Sequence, residues 1–252
     1  MKVNPYAIAI LFLYCFLYTS CKKDNPGFKA RLTEVLHVDS QWKMALKYNS
    51  DGKLVSTLQF GGDSLFYDNQ GRIIKYNNSY VTYAFEYSPN GQIKRRIPVA
   101  TVLRDYHPDT LDYIYDAKGR IVECNSTFND ASGVSHQGWS RYYKYNSQND
   151  IIDYNTINLY YNQAGGARLS YDNGANPLNF SNSLLFFLNE ELYAALNQHN
   201  PIRKYVEGFI SIYSYDYADT RPLRQTIKFY PPGQPVEPLG YRSLSQVKYK
   251  YE

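Results

Sequence analysis

Cysteine is almost missing from this chain: Cys15, Cys21 and Cys124 are all it carries in 252 residues. Cys15 falls in the leader and Cys21 at its end, so Cys124 would stand alone in the mature protein. One cysteine closes no internal disulfide, which excludes a disulfide scaffold and leaves packing and backbone ladders to hold the fold. Cys124 follows Ile121 and Val122 in a strand pattern and reads as a small buried apolar residue. Histidine is scarce too. His37, His107, His136 and His199 lie far apart, with no His-x-x-x-His or Cys-x-x-Cys spacing, so no metal site is assigned. Asp51, Asp68, Asp116 and Asp172 recur at turns, where their side chains accept following amides, but no Asp-x-Asp-x-Asp-Gly calcium loop exists. No nucleophile elbow, phosphate loop or dinucleotide fingerprint appears either. The expectation is a protein that is not an enzyme, with no catalytic residue and no cofactor.

Charge of one sign is also lacking. The 27 cationic and 23 anionic side chains are interspersed, for a net +4, and the longest basic cluster is Lys94-Arg95-Arg96. That cluster reads as a solvated edge strand, and no nucleic-acid partner is expected.

Only one long apolar run occurs, Tyr6 to Leu17, after Met1-Lys2 and before Tyr18-Thr19-Ser20-Cys21. A short cationic start, an apolar core and small residues in that order make a secretory signal over residues 1–20. Its end resembles the lipobox of bacterial lipoproteins, which would place the lipid on Cys21 and a polar tether over residues 21–30. The remaining residues, 31–252, are long enough to bury a core as one β domain.

What the chain has in excess is tyrosine, 28 residues against 12 Phe and 2 Trp. Tyrosine favours strands and joins an apolar ring to a polar tip. Many of these tyrosines fall in a repeat. An aromatic residue stands four before a Gly and an aliphatic residue two after it: Tyr48-Gly52-Leu54, Tyr67-Gly71-Ile73, Tyr87-Gly91-Ile93 and Tyr115-Gly119-Ile121. Tyr145-Asn149-Ile151 follows with Asn for Gly, the usual exchange where the backbone needs positive φ. The repeat therefore predicts tight turns closed by a left-handed residue, one hairpin per unit. Intervals of 19 and 20 residues lengthen to 28 and 30 later on, which predicts longer connections at Pro98 to Pro108 and Asn129 to Gly138. Alternation in Val81, Tyr83, Phe85 and Tyr87 against Thr82, Ala84 and Glu86 fits antiparallel strands covered on one face. The fold class is all-β: a strongly curved antiparallel meander, as an open sheet or partial barrel.

One segment departs from this pattern. Leu185, Leu188, Leu192 and Ala195 recur at helical spacing between Ser183 and Asn200-Pro201, predicting one amphipathic helix near 183–197 packed on the sheet. A closing hairpin follows, Leu223 to Tyr230 and Ser243 to Tyr251, around the Pro-rich stretch 231–238.

The Tyr-Asp-x-x-Gly-Arg-Ile form of residues 67–73 and 115–121 resembles the YD repeats of RHS-type proteins, which wind long sheets into shells. The chain also resembles uncharacterised Bacteroidota-type lipoproteins, a domain of unknown function with a porin-like fold. The shared layout is Ser20-Cys21-Lys22-Lys23, serial Tyr-x-x-x-Gly hairpins, the insert from Asn176 to Pro201 and a tyrosine-rich closing hairpin. The resemblance implies a curved antiparallel sheet and a place in the cell envelope, and no activity. Lys22 after the cysteine points to the outer membrane. The leading expectation is a lipid-anchored binding or scaffold module whose partner is the membrane and, beyond it, a glycan or envelope protein. Tyr83, Tyr113, Tyr143 and Tyr213 would stack on sugar rings if they formed an exposed row; stabilising the sheet is their simpler role. An integral outer-membrane barrel or channel, and a carbohydrate-active enzyme on a curved sheet, are the alternatives.

Overall fold

A computed structural model describes residues 31–40, 43–57, 63–102, 108–179, 184–188, 193–206, 209–219, 221–231 and 243–251. The signal, Cys21 and the tether therefore lie outside the described residues. The first strands are β1 (Leu32–His37), β2 (Lys43–Ala45), β3 (Lys47–Tyr48), β4 (Leu54–Ser56), β5 (Ser64–Tyr67), β6 (Ile73–Asn77), β7 (Val81–Tyr87) and β8 (Ile93–Thr101). There follow β9 (Thr110–Tyr115), β10 (Ile121–Asn129), β11 (Ser135–Tyr145), β12 (Ile151–Asn158), β13 (Gln163–Ala175), β14 (His199–Val206), β15 (Phe209–Ala218), β16 (Arg221–Tyr230) and β17 (Ser243–Tyr251).

Fifteen of these strands make one antiparallel sheet that runs from β5 in order back through β17 to β1 and β2. β1 pairs with β17, so the first and last strands are neighbours: Leu32 faces Tyr251 and His37 faces Val247. The sheet is not closed by its own ladder. β3 and β4 form a separate two-stranded sheet, and the Tyr67 hydroxyl on β5 donates to the Leu54 carbonyl on β4 at 2.6 Å.

The turns behave as the repeat requires. Gly52, Gly71, Gly91 and Gly119 have φ between 77° and 83°, and Asn149 has 68°. At residues 68–72 the Gly71 amide donates to the Asp68 carbonyl at 2.9 Å and the Asp68 amide to the Arg72 carbonyl at 2.9 Å. The Asp68 side chain accepts from the Gln70 and Arg72 amides and pairs with the Arg72 guanidinium at 2.7 Å. Asp116 repeats each of these contacts with Lys118, Gly119 and Arg120. The Asp and Arg of the motif are thus joined to each other across the turn. A sixth turn of this kind, Asp130 to Gly133 (φ 83°), lies at the opposite end of the strands, with Asn129 where the repeat has Tyr.

That sixth turn corrects the expectation of a long connection from Asn129 to Gly138. β10 and β11 run almost to the turn, so the longer interval is spent on longer strands. β8 likewise continues through Pro98 to Thr101, because Pro98 sits where the β7 register shifts and no ladder amide is required of it. The Lys94-Arg95-Arg96 cluster is corrected as well. β8 lies inside the sheet between β7 and β9, Arg95 pairs with Asp112 at 2.6 Å, and Arg96 is only 4% exposed.

The helical segment is shorter than its spacing suggests. Among the described residues it comprises α1 (Leu184–Leu188), a five-residue helix, and 3-10 turns at Pro177–Asn179 and Tyr193–Leu196; residues 189–192 lie outside them. The core-packing role holds. Phe186, Phe187, Leu188, Ala195 and Leu196 are buried on the sheet, where Phe187 meets Tyr113 edge-on at 5.0 Å and Phe186 meets Tyr143 at 6.0 Å. Each such buried ring contributes about 2 to 3 kcal/mol from area alone. Arg96 fixes this segment by donating to the carbonyls of Phe187 and Leu188 at 3.2 and 3.1 Å, a cation at the end of α1.

Candidate functional site

The five repeat turns all fall at one end of the strands, and the chain enters the sheet at that same end, since Leu32 begins β1 opposite Tyr251. There the repeat tyrosines interlock. Tyr48 donates its hydroxyl to the Leu32 carbonyl at 2.8 Å, Tyr67 to Leu54 at 2.6 Å, Tyr87 to Ile73 at 2.7 Å, Tyr115 to Ile93 at 2.7 Å and Tyr145 to Ile121 at 2.8 Å. The acceptor is the aliphatic residue two after the Gly of the preceding unit, for every acceptor but Leu32. Tyrosine recurs because phenylalanine has no hydroxyl to donate.

The residue between the Gly and the aliphatic position completes the joint. Lys53 lies over the Tyr67 ring at 5.5 Å, Arg72 over Tyr87 at 4.8 Å and Arg120 over Tyr145 at 4.6 Å. These are cation–π contacts from one hairpin to the next. A Cβ on Gly52 would stand 2.6 Å from the Arg31 guanidinium and one on Gly71 2.9 Å from the Lys53 ammonium, contacts these flexible side chains can relieve, so it is the positive φ that requires glycine there. The position was legible as Lys53, Arg72, Gln92 and Arg120 in the repeat, but a reading keyed to Tyr, Gly and Ile passes over it.

Burial raises every ladder tyrosine above its ordinary pKa, with Tyr67 and Tyr87 each pushed up to about 12. The turn carboxylates move the other way. The Arg72 amide, with the Arg72 side chain and Gln70 amide, holds Asp68 below its usual value against the opposing cost of desolvation. For Asp116 burial pushes up, but the Arg120 and Lys118 contacts outweigh it. A carboxylate with a depressed folded pKa stabilises above its unfolded pKa and loses that contribution as pH falls below about 4. A tyrosine with a raised one is destabilised by alkali from about pH 10 upward.

The tyrosine ladder and the insert enclose a cavity of 730 Å³, partly open to solvent. Lys53, Arg72, Gln92, Arg120, Asn149 and Gln198 supply its polar groups, and Leu54, Ile73, Ile93, Ile121, Phe187 and Leu196 its apolar wall. The insert is latched beside it by Asp150, a fully buried carboxylate in the position the other turns give to Lys, Arg or Gln. Asp150 accepts from the Gln198 and His199 amides at 2.9 Å and contacts His199 Nδ1 at 2.8 Å. Asn197, also fully buried, accepts from the Ile151 amide at 2.7 Å.

The strand tyrosines named from the sequence do not form an exposed row. Tyr83, Tyr113 and Tyr143 are 4 to 5% exposed within the core, Tyr113 and Tyr143 against Phe186 of the insert, and Tyr213 is half-buried. Cys124 is buried and forms no disulfide, as expected. Among the described residues no group of three His, Cys, Asp or Glu could hold a metal ion, and Cys21 lies outside them.

No protein-family model matches the chain, and no curated protein matches it. Among solved structures it is similar to a porin-like protein from Bacteroides vulgatus, with 13% identity and a TM-score of 0.56 over 88% of this chain and 99% of that one. The two share a fold. A Tc holotoxin pore of Photorhabdus luminescens aligns with 75% of this chain at 13% identity, with a TM-score of 0.36 over 11% of its own length. The porin-like fold here is an open antiparallel sheet with the insert packed on its core face.

Proposed function

We propose that the chain is an envelope-anchored, non-enzymatic binding module, held in the outer membrane by lipid on Cys21, with the turn-end cavity as its ligand site. The observation that carries this reading is the cavity itself, 730 Å³ and lined by five successive turns, at the end where the chain enters the fold. Its size and mixed lining suit a small-ligand site. Its polar groups favour binding over catalysis: the tyrosine hydroxyls are spent on carbonyls, and Arg72 and Arg120 on Asp68 and Asp116.

A membrane-spanning barrel fits less well. Such a barrel needs an apolar outer band, whereas Lys75, Glu86, Lys94 and Lys144 are exposed on strands, and the sheet is not closed. Metabolic labelling with a palmitate analogue, followed by protease shaving of intact cells, tests the anchoring. Label on the wild type that disappears in Cys21→Ala supports it; label that persists in that variant, or none on the wild type, removes it. Channel conductance in planar bilayers would restore the barrel reading.

A further inference from the structure

The cavity wall is chemically one-sided. Three cations line it, Lys53, Arg72 and Arg120, and no carboxylate does. Asp68 and Asp116 offset the two arginines from within their own turns, whereas Lys53 forms no ion pair with a carboxylate among the described residues. All three cations belong to turns and so stand at the rim. Leu54, Ile73, Ile93 and Ile121, the first residues of their strands, each follow the polar turn position by one residue, about 3.3 Å further in, and Phe187 and Leu196 of the insert close the wall.

From this division we infer that the cavity takes a single-chain anionic amphiphile, its head at the cationic rim and its hydrocarbon chain against Ile73, Phe187 and Leu196. A neutral chain would leave the Lys53 charge unmatched, and a small hydrophilic anion would leave the apolar wall wet. The head is a carboxylate or a phosphate, since either matches an ammonium and guanidinium rim. This inference rests on the cavity being a ligand site; it does not depend on acylation at Cys21.

The test is photo-crosslinking of the full-length chain in phosphatidylcholine nanodiscs, with three twelve-carbon diazirine probes ending in carboxylate, phosphate or alcohol. Either anion or both should label peptides spanning residues 48–54, 67–73 and 87–93, with the alcohol about threefold to fivefold weaker, the scale of one screened ion pair. Lys53→Gln should weaken labelling by the anions about threefold to fivefold. Gln92→Arg, which gives the third turn the residue found in the second and fourth, should strengthen it by a similar factor. Because Gln92→Arg reproduces a side chain the repeat already accommodates, it keeps the test decisive if Lys53→Gln folds poorly. Equal labelling by the alcohol, labels outside the turn peptides, or no response to Gln92→Arg would overturn the anion preference. A complete lack of labelling at the cavity by all three probes would overturn the amphiphile assignment, while a ligand of another class competing at the same turns would leave the binding reading standing.

Discussion

The two halves of the fold are joined by the same bond but connected by different turns. From β3 to β12, each turn-end hairpin pairs a ladder tyrosine with a left-handed Gly or Asn and, in four of five, a polar side chain reaching toward the next unit. From β13 to β17 no left-handed glycine closes a turn among the described residues, yet the ladder continues. Tyr171 donates to the Ile151 carbonyl at 2.5 Å, Tyr215 to Pro201 at 2.9 Å and Tyr251 to Pro222 at 2.9 Å. Here the connections are the insert and a turn at Asp219 (φ 55°). The acceptor is a backbone carbonyl, so proline serves as well as isoleucine. The tyrosine hydroxyl is therefore the common element, and the glycine is needed only where a hairpin closes in four residues.

The strongest way to break this comparison is at the seam. Asp150→Ala removes the buried carboxylate that holds the Gln198 and His199 amides and the His199 ring, and should cost about 2 to 4 kcal/mol in urea unfolding while loosening the insert from the fifth turn. Next comes Gly71→Val, which places a branched side chain at φ 79° and should cost about 2 kcal/mol or more. Asn149→Gly, in the same kind of turn, should be neutral or slightly stabilising. A loss above about 1 kcal/mol there would mean that Asn149 has another role. The sharpest comparison sets Tyr87→Phe against Tyr215→Phe. Each should cost about 1 kcal/mol, with Tyr161→Phe, 67% exposed, close to zero. The Tyr215 hydroxyl also accepts from Gln225 at 2.6 Å, so a smaller loss from Tyr215→Phe than from Tyr87→Phe would show that the ladder weakens where the turn glycines stop.

Much of this was legible in the residues because the turn is a local object. Positive φ at Gly52, Gly71, Gly91, Gly119 and Asn149 follows from spacing and residue type alone. The in-and-out order of Val81 to Tyr87 was equally clear, since strand periodicity needs no partner to be read. What escaped depends on distant chain. Arg96 looks solvated until the carbonyls of Phe187 and Leu188, about 90 residues away, are placed beside it. The ladder escaped because donor and acceptor lie 13 to 29 residues apart and the acceptor is backbone, which leaves no mark in the sequence. The cavity depended on the insert, whose apolar spacing gave its burial and did not say against which strands. The exchange of cation for Asp150 in the fifth turn was the one visible sign of where it docks.

The central claim is most directly tested by a spectrophotometric titration of the 28 tyrosines, with circular dichroism followed in parallel. Ladder tyrosines are buried as neutral donors, so the folded chain should hold a block of them un-ionised well above pH 10 and release it together with the loss of β signal at about pH 11 to 12. A smooth titration of nearly all tyrosines centred near pH 10, with the β signal intact, would contradict the ladder.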